Sequence, residues 1–364
     1  MKNKILFILH LPPPIHGASM MGKYIQESHV INDGYECIYI NLATAKNLED
    51  IGKFGFYKII QFIKLLFTIT KQVNKYHPEI VYITPNAKGG AFYKDFIVVQ
   101  LLKILKCKII AHYHNKGVQT KQDNILDNIL YKIFFKNIKV ILLSETLYKD
   151  IAKYVERNNV FICPNGIPKT NDYQNINQNN ITQLLYLSNL QIEKGIIDVL
   201  DACKILKEKG YSFECNLIGG ETNEMNKKTL LNEISIRNLK DCVIYQGKKY
   251  GNDKDFFYKK SDIFIFPTYY HNECFPVVLL EAMQHHCVCI STNEGGISDI
   301  IDDGINGFVV NKRNPFLLAD KIETLVKDKE LMNKMKKAGY DKFIKNFTIE
   351  KYEFNIYSIL NKLI

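Results

Sequence analysis

Twelve short runs of apolar, β-favouring residues, separated by longer stretches of helical spacing, constrain the fold of this chain more than any other feature. Six fall at residues 5–9, 37–40, 80–83, 108–111, 140–143 and 160–162, and six more at 184–187, 214–218, 243–245, 263–266, 288–290 and 308–310. Runs that are apolar throughout, rather than alternating, are what strands need when helices cover a sheet on both faces. The pattern predicts two successive doubly wound α/β units. With 364 residues, 46% hydrophobic and 24% charged, the chain has apolar material for two cores and is not disordered in composition. Between the two sets lies the polar, low-complexity stretch 169–180, rich in Asn, which has too little apolar surface to order itself. The expected organisation is a first domain over 1–168, a linker over 169–183, a second domain over 184–347 and a terminal helix over 348–364.

Charge is divided unevenly between these parts. Lys and Arg outnumber Asp and Glu by 22 to 12 in residues 1–168, whereas residues 169–364 carry 26 of each. The net charge of +10 therefore belongs to the first half, which points to an anionic partner such as a membrane surface, a lipid phosphate or nucleic acid. With only three arginines (Arg157, Arg237, Arg313) against 45 lysines and no reading module, nucleic acid is not an expected partner. The nine cysteines are odd in number and form no C-x-x-C pair, so neither a disulfide framework nor a zinc site is expected and a reducing cytoplasm fits. The apolar run 5–11 resembles a signal peptide, but it is short, contains His10 and meets Pro12, so it reads as the first strand.

Two helical patterns need a surface to cover. In 57–73 the polar residues Lys58, Gln61, Lys64, Thr68 and Lys71 make one narrow stripe on an otherwise apolar helix, either a crossover helix packed on its sheet or a basic membrane-docking helix. At the end of the chain Ile349, Tyr352, Ile356, Ile359, Leu360 and Leu363 share one face.

Ligands of open parallel sheets bind beyond the carboxyl ends of the strands, so the loops there carry the candidate site. After the first strand, Pro14-Ile15-His16-Gly17 precedes a helix, where Gly17 would let an anion approach backbone amides; a plain turn is the other reading. Glu273-Cys274-Phe275-Pro276 leads into a helix whose first turn suits Pro276 and whose second turn holds Glu281. Two carboxylates would then flank a phosphate-favouring helix start and could accept paired sugar hydroxyls, or they could merely cap the helix. Lys194, in Glu193-Lys194-Gly195, could neutralise a diphosphate, and Gly295-Gly296 could cradle another part of an anion. His114, beside Asn115 after the fourth strand, would face the same cleft from the first domain.

Taken in order, Pro14-Ile-His-Gly17, His114, Pro164-Asn-Gly-Ile167, Glu193-Lys194-Gly195, Glu273-x7-Glu281-Ala-Met and Asn293-Glu-Gly-Gly296 resemble glycosyltransferase family 4 over nearly the whole chain. The resemblance implies a GT-B fold, with two facing Rossmann-like domains, a deep interdomain cleft and a terminal helix crossing back to the first domain. It implies a retaining hexosyl transfer from a UDP- or GDP-sugar to a glycan or lipid-linked acceptor, in bacterial cell-surface polysaccharide synthesis and without metal or other cofactor; the basic first half and the 57–73 helix add the expectation that the acceptor is presented at the cytoplasmic face of an anionic membrane. Lys194 would then neutralise the leaving diphosphate, aided by amides near Gly17, Cys274 to Pro276 and Gly295-Gly296. Glu281 would bind the ribose, Glu273 the donor sugar, and His16, His114 and Asn115 the acceptor side.

The chain departs from that family pattern where a second diphosphate clamp, usually Arg, is replaced by Asn189, with Lys248 or Lys249 as candidate substitutes, and where Cys274 replaces a common Gly. Three other readings are carried: a metal-dependent GT-A enzyme using Asp253-Lys254-Asp255, whose aspartates otherwise read as caps of a helix at 256–260; a sugar-nucleotide epimerase; and a catalytically silent sugar-nucleotide-binding subunit, suggested by Asn189.

Overall fold

The computed structural model describes residues 2–13, 17–42, 56–170 and 181–364, with side chains from residue 59 in the third segment. His16, with Pro14 and Ile15, and most of the expected linker, residues 171–180, lie outside the described residues. The chain divides into two compact units, the first made of Met1–Gly166 with Ile349–Ile364 and the second of Ile167–Thr348.

Unit 1 holds strands β1 (Lys4–Leu9), β2 (Glu36–Asn41), β3 (Ile80–Ile83), β4 (Ile109–His112), β5 (Lys139–Leu142) and β6 (Val160–Ile162) in one parallel sheet of order β2-β1-β3-β4-β5-β6. Unit 2 holds β7 (Thr182–Leu187), β8 (Phe213–Ile218), β9 (Val243–Gly247), β10 (Ile263–Phe266), β11 (Val288–Thr292) and β12 (Gly307–Val310), again all parallel, in the order β12-β11-β10-β7-β8-β9. Each of the twelve apolar runs is a strand. The central ones are buried from end to end, as with Ile80–Ile83 and Ile263–Phe266. In both sheets the strand order reverses once, at β1/β3 in unit 1 and at β7/β10 in unit 2. Reversal leaves a crevice beyond the strand ends, because the two crossover helices beside it leave in opposite directions.

The terminal helix Ile349–Leu363 packs on unit 1. Its Tyr352, Ile356, Ile359 and Leu360 are buried in one cluster with Phe7, Tyr82, Ile110 and Ile141 of the sheet and with Met21, Ile25 and Ile31 of two early helices. Each of those fully buried side chains is worth about 1.5–3 kcal/mol relative to exposure. Helix starts in unit 2 follow the sequence: Asn314 Oδ1 accepts from Leu317 N at 2.9 Å with Pro315 beginning the helix Pro315–Lys327, and Asp328 caps Leu331 N at 2.8 Å. Some boundaries differ from expectation: β7 begins at Thr182, inside the stretch expected as linker over 169–183. The helix expected at 256–260 runs Gly251–Lys260, so Asp253 and Asp255 lie inside it rather than before it, with Gly251 in a left-handed conformation (φ 51°) at its start.

Candidate functional site

In unit 2 the crevice is bounded by the loops after β7 and β10. Gly195 (φ 84°) ends the first loop and starts the helix Ile196–Glu208; a Cβ there would stand 2.4 Å from the Pro267 carbonyl oxygen, so the two loops can meet only at glycine. They are then stitched together: Tyr269 N donates to Glu193 O at 2.8 Å and Thr268 Oγ1 to the same oxygen at 3.3 Å. This places Lys194 Nζ 2.6 Å from Glu273 Oε2, with both side chains largely shielded (15% and 11% exposed). The ammonium also stands 4.4 Å from the centre of the Tyr270 ring, a cation–π contact that fixes the lysine from a second side. Two residues 79 apart in sequence thus form one charged pair at the reversal of strand order.

Glu281 keeps different company. Its helix, Val277–Gln284, starts one residue later than expected, with Pro276 as the N-cap (φ −72°, ψ 113°) rather than in the first turn. Lys254 Nζ donates to its Oε1 at 2.6 Å and Tyr258 OH to its Oε2 at 3.0 Å. A carboxylate has about four acceptor positions, so two remain for a ligand hydroxyl. Burial, and next the Glu281 charge, hold the Tyr258 phenol well above its ordinary value, so it remains a donor. Neither Lys254, named only within Asp253-Lys254-Asp255, nor Tyr258 was marked as a partner of Glu281; their i,i+4 spacing on one helix face is the signal that was there.

The double glycine acts otherwise than expected. Gly295 N donates to Glu294 Oε1 at 3.2 Å and Gly296 N to Cys274 O at 2.6 Å, so both amides are engaged within the protein. Gly295 (φ 58°) is instead a contact point, since a Cβ would lie 2.4 Å from Glu273 O and 2.6 Å from Cys274 O. The loop after β11 thereby presses on the backbone of Glu273 itself. Cys274 is buried and absent from the left-handed conformations, so cysteine needs no glycine there. Beside the pair, Asn189 Oδ1 and the Lys248 stem converge on Gly220, at 3.2 and 3.5 Å from where its Cβ would stand. Lys248 thus has its stem on the same glycine as the departure at Asn189.

In unit 1 the corresponding reversal lies at β1/β3. His10, just after β1, donates its backbone N to Thr84 Oγ1 at 3.1 Å, and its Nδ1 is 3.3 Å from the same hydroxyl. Asn86 donates from both backbone and side-chain nitrogen to Asp95 Oδ2 at 2.8 Å. Asp95 is wholly buried, which raises its carboxyl above the usual range. The rule of looking beyond strand ends, applied to Thr84-Pro85-Asn86, would have found this group. His114 follows β4 and lies against His112 with its ring tilted by 41°, ring centres 4.2 Å apart. Asn115 is committed locally, accepting from Ala87 N at 2.7 Å and donating to Pro85 O at 3.4 Å, so its amide holds the neighbouring loop. Gly17 opens the helix Gly17–Glu27, and a Cβ there would meet open space. The glycine that permits close approach is Gly22, where a Cβ would stand 2.2 Å from His10 O.

His112 is fully buried, bonded through Nδ1 to the Tyr82 hydroxyl, and its pKa is pushed well below the ordinary value, first by burial and then by His114. A proton therefore binds the unfolded chain more readily than the fold. Below about pH 6.5 stability should fall with acidification, by up to about 1.4 kcal/mol per pH unit. Hydrogen exchange of β4 amides at pH 7 and 5 reads this; His112→Asn should flatten the dependence, and an unchanged slope would assign it to other groups.

Among the described residues no group of three or more His, Cys, Asp and Glu side chains is placed to hold a metal ion. Residues 169–342, all inside unit 2, match the family model described as Glycosyl transferases group 1. The chain is 31% identical over 146 residues, 40% of its length, to the capsular polysaccharide biosynthesis glycosyltransferase CapM of Staphylococcus aureus. Over 268 residues, 68% of its length, it is 26% identical to the lipopolysaccharide 1,2-N-acetylglucosaminetransferase of Salmonella typhimurium. These matches cover 37% and 66% of the relatives' own lengths. Among solved structures, Anabaena Alr3699/HepE in complex with UDP superposes with a TM-score of 0.78 over the whole of both chains at 16% identity. The fold is that of the GT-B glycosyltransferases.

Proposed function

We propose that the chain is a retaining glycosyltransferase that binds a nucleotide diphosphate sugar on unit 2 and moves a hexose-type sugar to a hydroxyl of a glycan or lipid-linked acceptor bound by unit 1, in bacterial cell-surface polysaccharide synthesis. The observation that carries the reading is the Lys194–Glu273 pair at the β7/β10 reversal. A preorganised ammonium there meets charge that develops on the leaving diphosphate, where electrostatic stabilisation matters most. Glu273 holds Lys194 with one oxygen and offers the other to donor hydroxyls, while Glu281, fixed by Lys254 and Tyr258, accepts from the ribose. The bond from the anomeric carbon to the phosphate oxygen breaks, the acceptor oxygen attacks on the same face, and its proton passes to the diphosphate. His114 orients the donor sugar or acceptor, and Lys248 supplies the charge that Asn189 lacks. The reaction runs without metal at the cytoplasmic face of the membrane. UDP is the favoured nucleotide because HepE is solved with UDP; GDP is the alternative.

A panel of UDP- and GDP-sugars tests this. A true donor raises the melting temperature, since a ligand at about a hundred times its Kd adds about 2.7 kcal/mol to stability. In the presence of a chelator it should release nucleoside diphosphate only with acceptor, and give a product of the donor's anomeric configuration. Failure of every donor to bind, conversion without acceptor, or an inverted product would each overturn the reading. Asn189 favours one rival, a silent binding subunit, for which donors bind but no acceptor is glycosylated.

A further inference from the structure

The loop after β12 carries Lys312 and Arg313 side by side, and each leads to a different member of the Lys194–Glu273 pair. Residues 311–314 join β12, paired to β11 through Val310 and Thr292, to the helix that Asn314 caps, so this short link is held at both ends. Arg313 takes a left-handed backbone (φ 55°), which glycine enters freely and a side chain with a Cβ does not. Among the described residues six non-glycine residues do so, and five of them, His77, Lys106, Asn137, Asn238 and His286, stand one or two positions past the end of a helix, where that conformation is an ordinary stop. Arg313 alone follows a strand. Strain kept at such a place points to a use for the side chain. Its guanidinium carbon stands 4.6 Å from the centre of the Tyr269 ring, a cation–π contact. The same charge acts on Asp198, whose carboxyl is pushed above the usual range by burial and by Asp201 and drawn back by Arg313.

Tyr269 connects the arginine to Lys194. Its backbone N donates to the carbonyl of Glu193, the residue before the lysine, at 2.8 Å, and the next ring in the chain, Tyr270, lies under the ammonium itself. Lys312 leads to the other partner. Its ammonium pairs with Glu294 Oε2, a carboxylate only 10% exposed, while Glu294 Oε1 accepts from Gly295 N at 3.2 Å. Gly295 in turn rests on the carbonyl oxygens of Glu273 and Cys274. Thr292 Oγ1, which donates to Thr268 O, ties the two routes together at their base. Both cations lie at the surface of the loop, so replacing them opens no cavity in the core. We infer that Lys312 and Arg313 are positioning residues that brace the Lys194–Glu273 pair from two sides, the arginine through Tyr269 and the lysine through Glu294 and Gly295. Their effect on turnover rests on the sugar-transfer reading; the brace itself rests on the contacts within unit 2.

Arg313→Gly, Arg313→Lys and Lys312→Met in the full chain test it. Arg313→Gly removes the guanidinium and the backbone strain together, so the melting temperature should stay within about 3 °C of the parent or rise. Turnover should nevertheless fall about tenfold at unchanged donor KM, since misplacement by about 1 Å at a reacting centre can cost 10²-fold. Lys312→Met should do the same, and Arg313→Lys should return turnover to within about threefold of the parent, because an ammonium can also stand over the Tyr269 ring. Hydrogen exchange reads the brace without any reaction: the Tyr269 amide in Arg313→Gly and the Gly295 amide in Lys312→Met should exchange at least about tenfold faster, with the amides of β7 and β10 unchanged. Parental turnover and exchange in both variants overturn the inference, as does a loss of turnover matched by a fall in melting temperature, which would make the loop merely structural. A rise in donor KM as large as the fall in kcat would make Arg313 a ligand contact instead. Should the parent chain transfer no sugar, the sugar-transfer reading fails by itself, and exchange still decides the brace: faster exchange upholds it and unaltered exchange removes it.

Discussion

Lys194→Ala is expected to lower sugar transfer by about 10²–10³-fold, the loss typical of removing one preorganised charge or donor from a developing anion. The substitution also leaves Glu273, only 11% exposed in its side chain, without its counter-ion. Donor affinity should fall less than turnover, because Glu281, proposed to bind the ribose, keeps its own partners Lys254 and Tyr258. Lys194→Arg should rescue little: a planar guanidinium cannot reproduce a point charge held 2.6 Å from one carboxylate oxygen and 4.4 Å from the Tyr270 ring. Comparing single-turnover rates with donor-induced thermal shifts checks the split. Equal losses in both would mean that Lys194 only binds the donor, and no loss in either would remove it from the reaction.

Gly295→Ala should be nearly as damaging although its amide is engaged by Glu294. The left-handed backbone costs a non-glycine residue about 1–2 kcal/mol, and the new methyl would meet two carbonyl oxygens of the Glu273–Cys274 segment, at 2.4 and 2.6 Å. The segment has to move, and the carboxylate that holds Lys194 moves with it. We expect a fall in turnover of about 10- to 100-fold, since displacement by about 1 Å at a reacting centre can cost 10²-fold. Gly17→Ala is the control: a Cβ there meets open space, so the protein should be close to unaltered. Should the two variants behave alike, the assignment of Gly295 as the contact that positions Glu273 is wrong.

The contrast between these glycines shows what could be read from the sequence. Both precede helices and both look like places for an anion, yet only one is pressed against backbone, and packing distance has no trace in local spacing. Strands were legible because parallel strands covered on both faces must be apolar throughout. Lys194 and Glu273 were legible as strand-end residues, but their meeting depends on β7 and β10 being neighbours, which their order in the chain does not state. The pairing of Glu281 with Lys254 and Tyr258 was missed because the helix start was placed too late, after Asp253 and Asp255 instead of at Gly251, which left Lys254 outside the helix that holds Tyr258. Helical spacing in 57–73 did show an apolar surface needing cover.

The membership of the last fifteen helical residues in unit 1 has a bearing on how the protein is made. A ribosome finishes residues 1–166 early, but the helix that buries Tyr352, Ile356 and Leu360 against Phe7 and Tyr82 emerges only after all of unit 2 has been synthesised. At about 5–20 residues per second the nascent sheet waits roughly ten seconds or longer with that side uncovered. A stop codon placed just before Ile349 would therefore injure the first-made half of the molecule, and chaperone dependence during translation should concentrate there.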